Sequence, residues 1–194
     1  MSKSFYSLGL MSGTSMDGID VSIIKSDGDI KFEGILNKYF QYTEDFHRNL
    51  VNIRDKINSS QDLKIHSKEL EVLDKEITLL HSKAVNEVTK EIDFKIDFVG
   101  FHGQTIFHNA DEKISKQLGD GNLLSQLVKK KVVYDFRQND LKNGGEGAPL
   151  APIYHNLLAK TFKEKGKVKL PITILNIGGI ANTTSINENY KMTS

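Results

Sequence analysis

The sequence is 194 residues long and contains no cysteine. A disulfide scaffold, a thiolate zinc site and a cysteine nucleophile are therefore excluded. No apolar run approaches the ~18 residues that a membrane-spanning helix needs, and the N-terminal segment has no apolar signal core. The formal net charge is +1, so no overall field favours nucleic acid or an anionic membrane. We therefore expect a cytoplasmic protein that binds neither nucleic acid nor membrane.

Arginine is scarce as well. Arg48, Arg54 and Arg137 are the arginines, and lysine supplies the rest of the 26 basic side chains. Because lysine cannot offer a planar bidentate fork, Arg137 is singled out below. Hydrophobic residues make up 38% of the chain and charged residues 26%, which suits a soluble globular protein with a sizeable core. The length corresponds to one large domain or two small ones.

The first ninety residues predict three strands followed by helices. Strand-like runs cover residues 5–9, 21–25 and 31–39, and the turn signal at 26–29 predicts an antiparallel hairpin between the last two. Helical spacing then begins, with Thr43 as a candidate N-cap. A break at Ser59 and Ser60 separates this helix from a stronger amphipathic one, whose apolar stripe is Leu70, Leu73, Ile77, Leu80, Ala84 and Val88.

Beyond residue 90, short apolar runs alternate with helical segments. Strands are predicted at 96–101, 114–118 and 132–136, a short helix at 123–129, and a longer helix opened by Pro149 and Pro152. The polar stretch 163–169 predicts a linker, after which 172–177 and 183–186 form a hairpin with little to pack against. This order predicts an α/β fold. We expect one domain over residues 1–165 and the truncated start of a second over 166–194.

The stretch from residue 9 to 20 lies between two predicted strands and is rich in glycine, serine and threonine. The N–H groups and hydroxyls of such a loop can surround phosphate oxygens. Asp17 and Asp20 could hold Mg²⁺ near those phosphates, directly or through water. The stretch is neither a Walker A loop nor a GxGxxG motif. A polar turn with an accidental aspartate is an equally open alternative.

Polar residues also follow two later strands. His102 and Gln104 are predicted to end one strand, where α/β sheets place ligand groups, although a core histidine is the alternative for His102. Asp135 and Arg137 follow the next strand. Arg137 either pairs with Asp135 or Asp140 to shape a loop, or faces a carboxylate or phosphate of a ligand. Both alternatives are open from the sequence.

Residues 9–20 resemble the signature of the anhydro-N-acetylmuramic acid kinase family, within the actin/hexokinase-like ATPase superfamily. Five further blocks resemble the family in the same order: residues 101–108, 119–122, 135–140, 144–150 and 176–182. The resemblance implies an actin-like (ribonuclease H-like) ATPase domain with a mixed sheet, plus the first hairpin of a second such domain.

The resemblance implies an ATP- and Mg²⁺-dependent sugar kinase of peptidoglycan recycling. Such enzymes open the ring of 1,6-anhydro-N-acetylmuramic acid with water and phosphorylate O6, giving N-acetylmuramic acid 6-phosphate and ADP. By family position the implied nucleotide-binding residues are Gly13, Thr14, Ser15, Met16, Asp17, Gly18, Ile19, Asp20, Asn176, Gly178 and Gly179. The implied sugar contacts are His102, Gln104, Asp135 and Arg137, and the implied metal ligands are Asp17 and Asp20.

Two departures from the family pattern affect the expected activity. Glu146 stands where the family usually has glutamine, and its added negative charge should weaken binding of anionic ligands unless it is paired or protonated. The aspartate that serves the family as general base is expected beyond Ser194, so no catalytic base is assigned. We expect the chain alone to be inactive. The alternative is a non-catalytic remnant, or a sugar- or nucleotide-binding half that needs a second polypeptide. For full-length members, a homodimer is the candidate assembly.

Overall fold

The computed structural model describes residues 3–177 and 181–194. Across these residues the strands are β1 Phe5–Ser12, β2 Gly18–Ser26, β3 Phe32–Gln41, β4 Phe98–Asn109, β5 Ile114–Leu118, β6 Lys131–Tyr134, β7 Ile172–Asn176, β8 Asn182–Ile186 and β9 Met192–Thr193. The helices are α1 Glu44–Lys56, α2 Ser60–Ile65, α3 Ser67–Thr89, α4 Gly121–Val128, α5 Phe136–Lys142 and α6 Pro152–Glu164. None of the helices described is long and apolar enough to cross a membrane.

The larger sheet has six strands and mixed pairing. Its order is β3-β2-β1-β4-β5, with β6 paired to β4. The β1/β2 and β2/β3 pairs are antiparallel, whereas β1 and β6 both run parallel to the first half of β4. Ser12 lies beside Gln104 and Tyr134 beside Phe101, so the parallel strands end together. We call this boundary, from Ser12 through Gln104 to Tyr134, the carboxyl edge.

The core lies between one face of this sheet and the helices α1, α3 and α4. Leu8 and Leu10 of β1 are buried there, in alternation with more exposed neighbours. The predicted stripe of α3 is buried except at Leu80, which is partly buried. The Thr43 prediction is confirmed, because its side chain accepts a hydrogen bond from the Phe46 N–H at 3.3 Å. The spacing of apolar residues in the sequence therefore identified α3 as a helix that packs on this face of the sheet.

Two predictions near the carboxyl edge were wrong. The strand predicted at 96–101 continues to Asn109, because β5 pairs antiparallel with its second half. His102 and Gln104 therefore lie within β4, where the parallel pairing ends, and not at the end of the strand. Residues after Asp135 form helix α5 and not a loop. The Phe136 ring of α5 lies against Gly100 of β4, so the helix covers the face of the sheet opposite the core.

The second sheet is a three-stranded antiparallel unit, in the order β7-β8-β9. The predicted hairpin is present, but it does pack against another element. Thr184 of β8 is buried, and its Oγ1 lies 2.7 Å from the His155 Nδ1 of α6. The same helix also contacts the larger sheet, since the Tyr154 and Phe32 rings meet edge to face at 5.4 Å. Helix α6 begins only at Pro152 and extends to Glu164, into the predicted linker.

Candidate functional site

The loop that follows β1 is held firmly at its base. We call residues 13–17 the β1–β2 loop. Met16 is 2% exposed, adopts a left-handed conformation (φ 58°), and donates its N–H to the Gly13 carbonyl at 3.1 Å. Gly18 is required at the exit, because a Cβ there would lie 2.5 Å from the Phe40 carbonyl oxygen. The hydroxyl side chains at the tip, Thr14 and Ser15, are exposed. The loop therefore presents polar groups to solvent from a fixed base.

Gln104 connects this loop to β4. Its Nε2 donates to the Gly13 carbonyl at 3.0 Å and to its neighbour Thr105 at 3.3 Å. The side chain is fully buried, and its Oε1 has no hydrogen-bond partner among residues 3–177 and 181–194. A buried carbonyl oxygen without a partner is costly, so this atom is a ready acceptor for a water or a ligand. Gly103 lies between His102 and Gln104 within β4 and has φ 71°, a left-handed conformation that glycine adopts without strain.

Two carboxylates flank the exit of the loop. Asp17 and Asp20 are both exposed, and Asp20 lies opposite Tyr39 in the β2/β3 register. The Ser15 hydroxyl donates to Asp17 and holds the pKa of that carboxyl below its usual value. Burial, together with the negative charges of Asp17 and Asp20, raises the pKa of the Tyr39 hydroxyl. The lowered pKa keeps the Asp17 carboxyl ionised near neutral pH.

These carboxylates do not form a closed metal cage. The part of the chain that the structure describes has no cluster of three or more histidine or acidic side chains suited to a metal ion. Mg²⁺ often keeps several waters and uses only one or two protein carboxylates beside substrate phosphates. Asp17 and Asp20 fit that open mode of binding.

His102 and Arg137 form the other part of the carboxyl edge. The Arg137 Nε donates to the His102 Nε2 at 2.8 Å, and its Nη1 donates to the Gly147 carbonyl at 2.9 Å. Because arginine only donates, the His102 Nε2 is the acceptor, and the proton lies on Nδ1, which donates to the Gly103 carbonyl at 2.8 Å. Burial, with a smaller contribution from the Arg137 charge, lowers the pKa of His102. His102 is a neutral side chain that orients the guanidinium.

Of the two alternatives for Arg137, pairing with Asp135 or Asp140 is not present in the part of the chain that the structure describes. Within residues 3–177 and 181–194, no carboxylate forms an ion pair with Arg137. Asp140 instead accepts the Gly147 N–H at 2.8 Å and so shapes the turn before Pro149. Arg137 is half-buried, which leaves a positive charge that an anion can neutralise.

A cavity of about 210 Å³ lies beside His102. Asp135 lines it and adopts a left-handed backbone conformation (φ 62°), which costs energy for a residue other than glycine. Lys116 also lines it, and its Nζ lies 2.9 Å from the Asp74 carboxylate. The sequence patterns do not identify Asp74 and Lys116 as candidate site residues, because the two are 42 residues apart. The block at 119–122 is the sequence motif closest to Lys116.

Of the remaining predicted nucleotide contacts, Asn176 belongs to the second sheet. Asn176 ends β7 and pairs with Asn182 of β8. Gly178 and Gly179 lie outside the described residues. Glu146 is exposed and takes part in no ion pair within the described ranges, so its charge is solvated.

Comparison with known protein families identifies the family to which the chain belongs. A family model described as anhydro-N-acetylmuramic acid kinase matches residues 5–194. The chain belongs to this family. Its mixed sheet, with antiparallel and parallel strands, is that of an actin-like ATPase domain, and the small second sheet is compatible with the start of a second domain.

Relatives in the anhydro-N-acetylmuramic acid kinase family match nearly the whole chain. The chain is 57% identical over 195 residues to a protein of that name from Pelagibacter ubique (strain HTCC1062), covering 98% of this chain and 51% of the relative. A second, from Rhizobium etli, is 40% identical over 92% of this chain and 48% of its own length. A third, from Brucella canis, is 39% identical over 93% and 49%. The chain therefore spans about half the length of these curated relatives.

Proposed function

We propose that the chain forms one wall of the active site of an ATP-dependent kinase of 1,6-anhydro-N-acetylmuramic acid. In the proposed reaction, water opens the 1,6-anhydro ring and O6 accepts the γ-phosphoryl group of ATP, giving N-acetylmuramic acid 6-phosphate and ADP. The observation that supports this proposal best is the uncompensated Arg137 at the same sheet edge as the β1–β2 loop. The proposal places the reaction in the cytoplasm, in amino-sugar metabolism and peptidoglycan recycling.

The nucleotide side of the proposal uses residues 13–20. The backbone N–H groups and hydroxyls of the β1–β2 loop would surround phosphate oxygens, as glycine-rich loops do. Asp17 and Asp20 would hold Mg²⁺, partly through water, and the ion would neutralise charge on the phosphates. Asn176 would approach the nucleotide from the second sheet. Gly178 and Gly179 are proposed as further nucleotide contacts by their position in the sequence alone.

The sugar side uses Arg137, Asp135 and His102. N-acetylmuramic sugars carry a lactyl carboxylate, and a half-buried guanidinium without an acidic partner suits a carboxylate. His102 would fix the guanidinium through Nε2, as the 2.8 Å hydrogen bond supports. The exposed Asp135 carboxylate is available to accept hydrogen bonds from sugar hydroxyls.

A second candidate is a sugar- or nucleotide-binding half that requires another polypeptide for catalysis. It is favoured because the exposed β1–β2 loop and the half-buried Arg137 offer binding groups, whereas no residue of the carboxyl edge is assigned as general base. A coupled ADP-release assay with ATP, Mg²⁺ and the anhydro sugar separates the two. Robust turnover by the 194-residue chain alone contradicts this candidate, and no turnover with measurable sugar binding supports it.

Calorimetry tests the assignment of Arg137. The titrants are 1,6-anhydro-N-acetylmuramic acid and 1,6-anhydro-N-acetylglucosamine, which lacks the lactyl carboxylate. We expect Arg137→Lys to weaken binding of the first sugar by about 10-fold or more, because charge-assisted hydrogen bonds contribute about 1.5–3 kcal/mol. The control is Arg54→Lys, at a surface arginine bonded to Asp55. Equal affinity of the wild-type chain for both sugars would contradict the assignment.

A further inference from the structure

A buried hydrogen-bonded chain lies directly beneath the β1–β2 loop. The Ser12 Oγ is 2.6 Å from the Tyr42 hydroxyl and 3.3 Å from the His81 Nε2. Ser12 is 1% exposed, Tyr42 6% and His81 0%, so these hydrogen bonds are shielded from solvent. None of these three side chains has a role in the proposed reaction.

The direction of each hydrogen bond among Tyr42, Ser12 and His81 is fixed. The His81 Nδ1 lies 2.8 Å from the Ile77 carbonyl, which can only accept, so the imidazole proton is on Nδ1. The His81 Nε2 is then an acceptor, and the Ser12 hydroxyl must donate to it. The Tyr42 hydroxyl in turn donates to the Ser12 Oγ. Each of the three donors, the Tyr42 hydroxyl, the Ser12 hydroxyl and the His81 Nδ1–H, therefore has one acceptor.

Tyr42 holds the loop at both of its ends. Its hydroxyl bonds to Ser12, immediately before the loop, while its backbone N–H donates to the Asp17 carbonyl at 2.8 Å, at the loop's last residue. Ser12 pairs with Gln104 of β4, but the register between β1 and β4 shifts between Leu10 and Ser12, so the strand pairing is irregular just before the loop. The side-chain hydrogen bonds of Ser12 add a second restraint at this point.

His81 is itself firmly placed. It lies on α3, and its ring meets the Phe101 ring of β4 edge to face at 4.9 Å. We propose that Tyr42 and His81 are positioning residues of the nucleotide site, which hold Ser12 so that the N–H groups of the β1–β2 loop are aimed at the phosphates of ATP. This inference rests on the proposed function of the loop.

Binding of Mg·ATP to the 194-residue chain, measured by calorimetry, tests the proposal. Tyr42→Phe removes one hydroxyl and keeps the ring's contact with Phe46. We expect it to weaken Mg·ATP binding about three- to tenfold, the range for one net hydrogen bond. Ser12→Ala should weaken binding at least as much, because it also removes the hydrogen bond to His81. The double variant should bind like Ser12→Ala alone, because the Tyr42 hydroxyl has already lost its partner there. The control is Tyr6→Phe, whose ring stacks on Phe94 in the same core.

Two substitutions of His81 distinguish positioning from mere packing. Glutamine reaches one bond further than asparagine, so His81→Gln retains an acceptor for the Ser12 hydroxyl, whereas His81→Asn reaches only the Ile77 carbonyl. We expect His81→Gln to bind Mg·ATP within about twofold of wild type and His81→Asn about three- to tenfold more weakly. A purely structural role would lower the unfolding temperature of both variants without separating their affinities.

The outcomes distinguish this inference from the proposed function. If the wild-type chain binds Mg·ATP while Tyr42→Phe and Ser12→Ala bind it equally well, the positioning role is overturned and the nucleotide site stands. Equal affinities of His81→Gln and His81→Asn would likewise overturn the role of His81. If the wild-type chain binds no nucleotide, the nucleotide site and this inference both fail.

Discussion

Acidification should destabilise the protein through His81, which is fully buried. Burial lowers the pKa of this imidazole from 6.5 to about 4. In the unfolded chain the same group titrates near 6.5. Between these two values the unfolded state binds a proton that the folded state does not, so the free energy of unfolding falls as the pH falls.

The size of this effect follows from the two pKa values. The difference between 6.5 and about 4 corresponds to about 3 kcal/mol once the pH is well below 4. At pH 5 the loss should already be about 2 kcal/mol, and at pH 7 it should be nearly zero. Typical domains have about 5–15 kcal/mol of stability in total, so the change is easily measured.

Urea unfolding followed by circular dichroism at pH 7, 6 and 5 provides the assay. Other groups titrate in the same range, including His102 and His108, whose pKa values are also lowered, chiefly by burial. The comparison is therefore between the pH profiles of wild type and His81→Gln, which removes the titration of His81. The packing and hydrogen bonds that the variant also loses change its stability equally at each pH and cancel in this comparison. The wild-type stability should fall about 2 kcal/mol further than that of the variant between pH 7 and pH 5. Parallel pH profiles would refute the reasoning.

Two further predictions concern Gly18 and Glu146. Gly18→Ala should destabilise the fold by about 2 kcal/mol or more in the same urea titration, because the new Cβ would lie 2.5 Å from a backbone oxygen. The control is Gly34→Ala, which should be nearly neutral because no atom lies within 4 Å of the new Cβ. Glu146→Gln should raise the affinity for the anhydro sugar about two- to threefold at low salt, by removing an exposed negative charge, and the gain should vanish at high salt. A gain that persists in high salt would contradict the electrostatic explanation.

Periodicity in the sequence predicted the long elements well. The α3 stripe repeats over many residues and needs only one apolar face, so its pattern survives without knowledge of the fold. Helix α5 was missed because its seven residues bury only Leu141 and begin after the left-handed Asp135. Such a short segment is set by its contacts with β4 and β5, which local preference does not encode.

The composition of the site was also easier to predict than its geometry. The sequence motifs named His102 and Arg137 separately, but their hydrogen bond joins residues 35 positions apart. That contact depends on the parallel register of β4 and β6, which brings Phe101 beside Tyr134. His81 was unremarked for a similar reason, since a histidine within an apolar helix stripe gives no sign of the serine that it meets.

Nuclear magnetic resonance mapping on the isotope-labelled chain tests the central proposal most directly. The proposal predicts that Mg·ATP shifts the backbone amides of residues 13–20, and that 1,6-anhydro-N-acetylmuramic acid shifts the Asp135 amide and the Arg137 side-chain Nε–H. The amides of Glu71 and Asn122, which line a neighbouring cavity of about 470 Å³, are the comparison positions outside the carboxyl edge. Shifts that concentrate there, or no shifts at the carboxyl edge with either ligand, would contradict it.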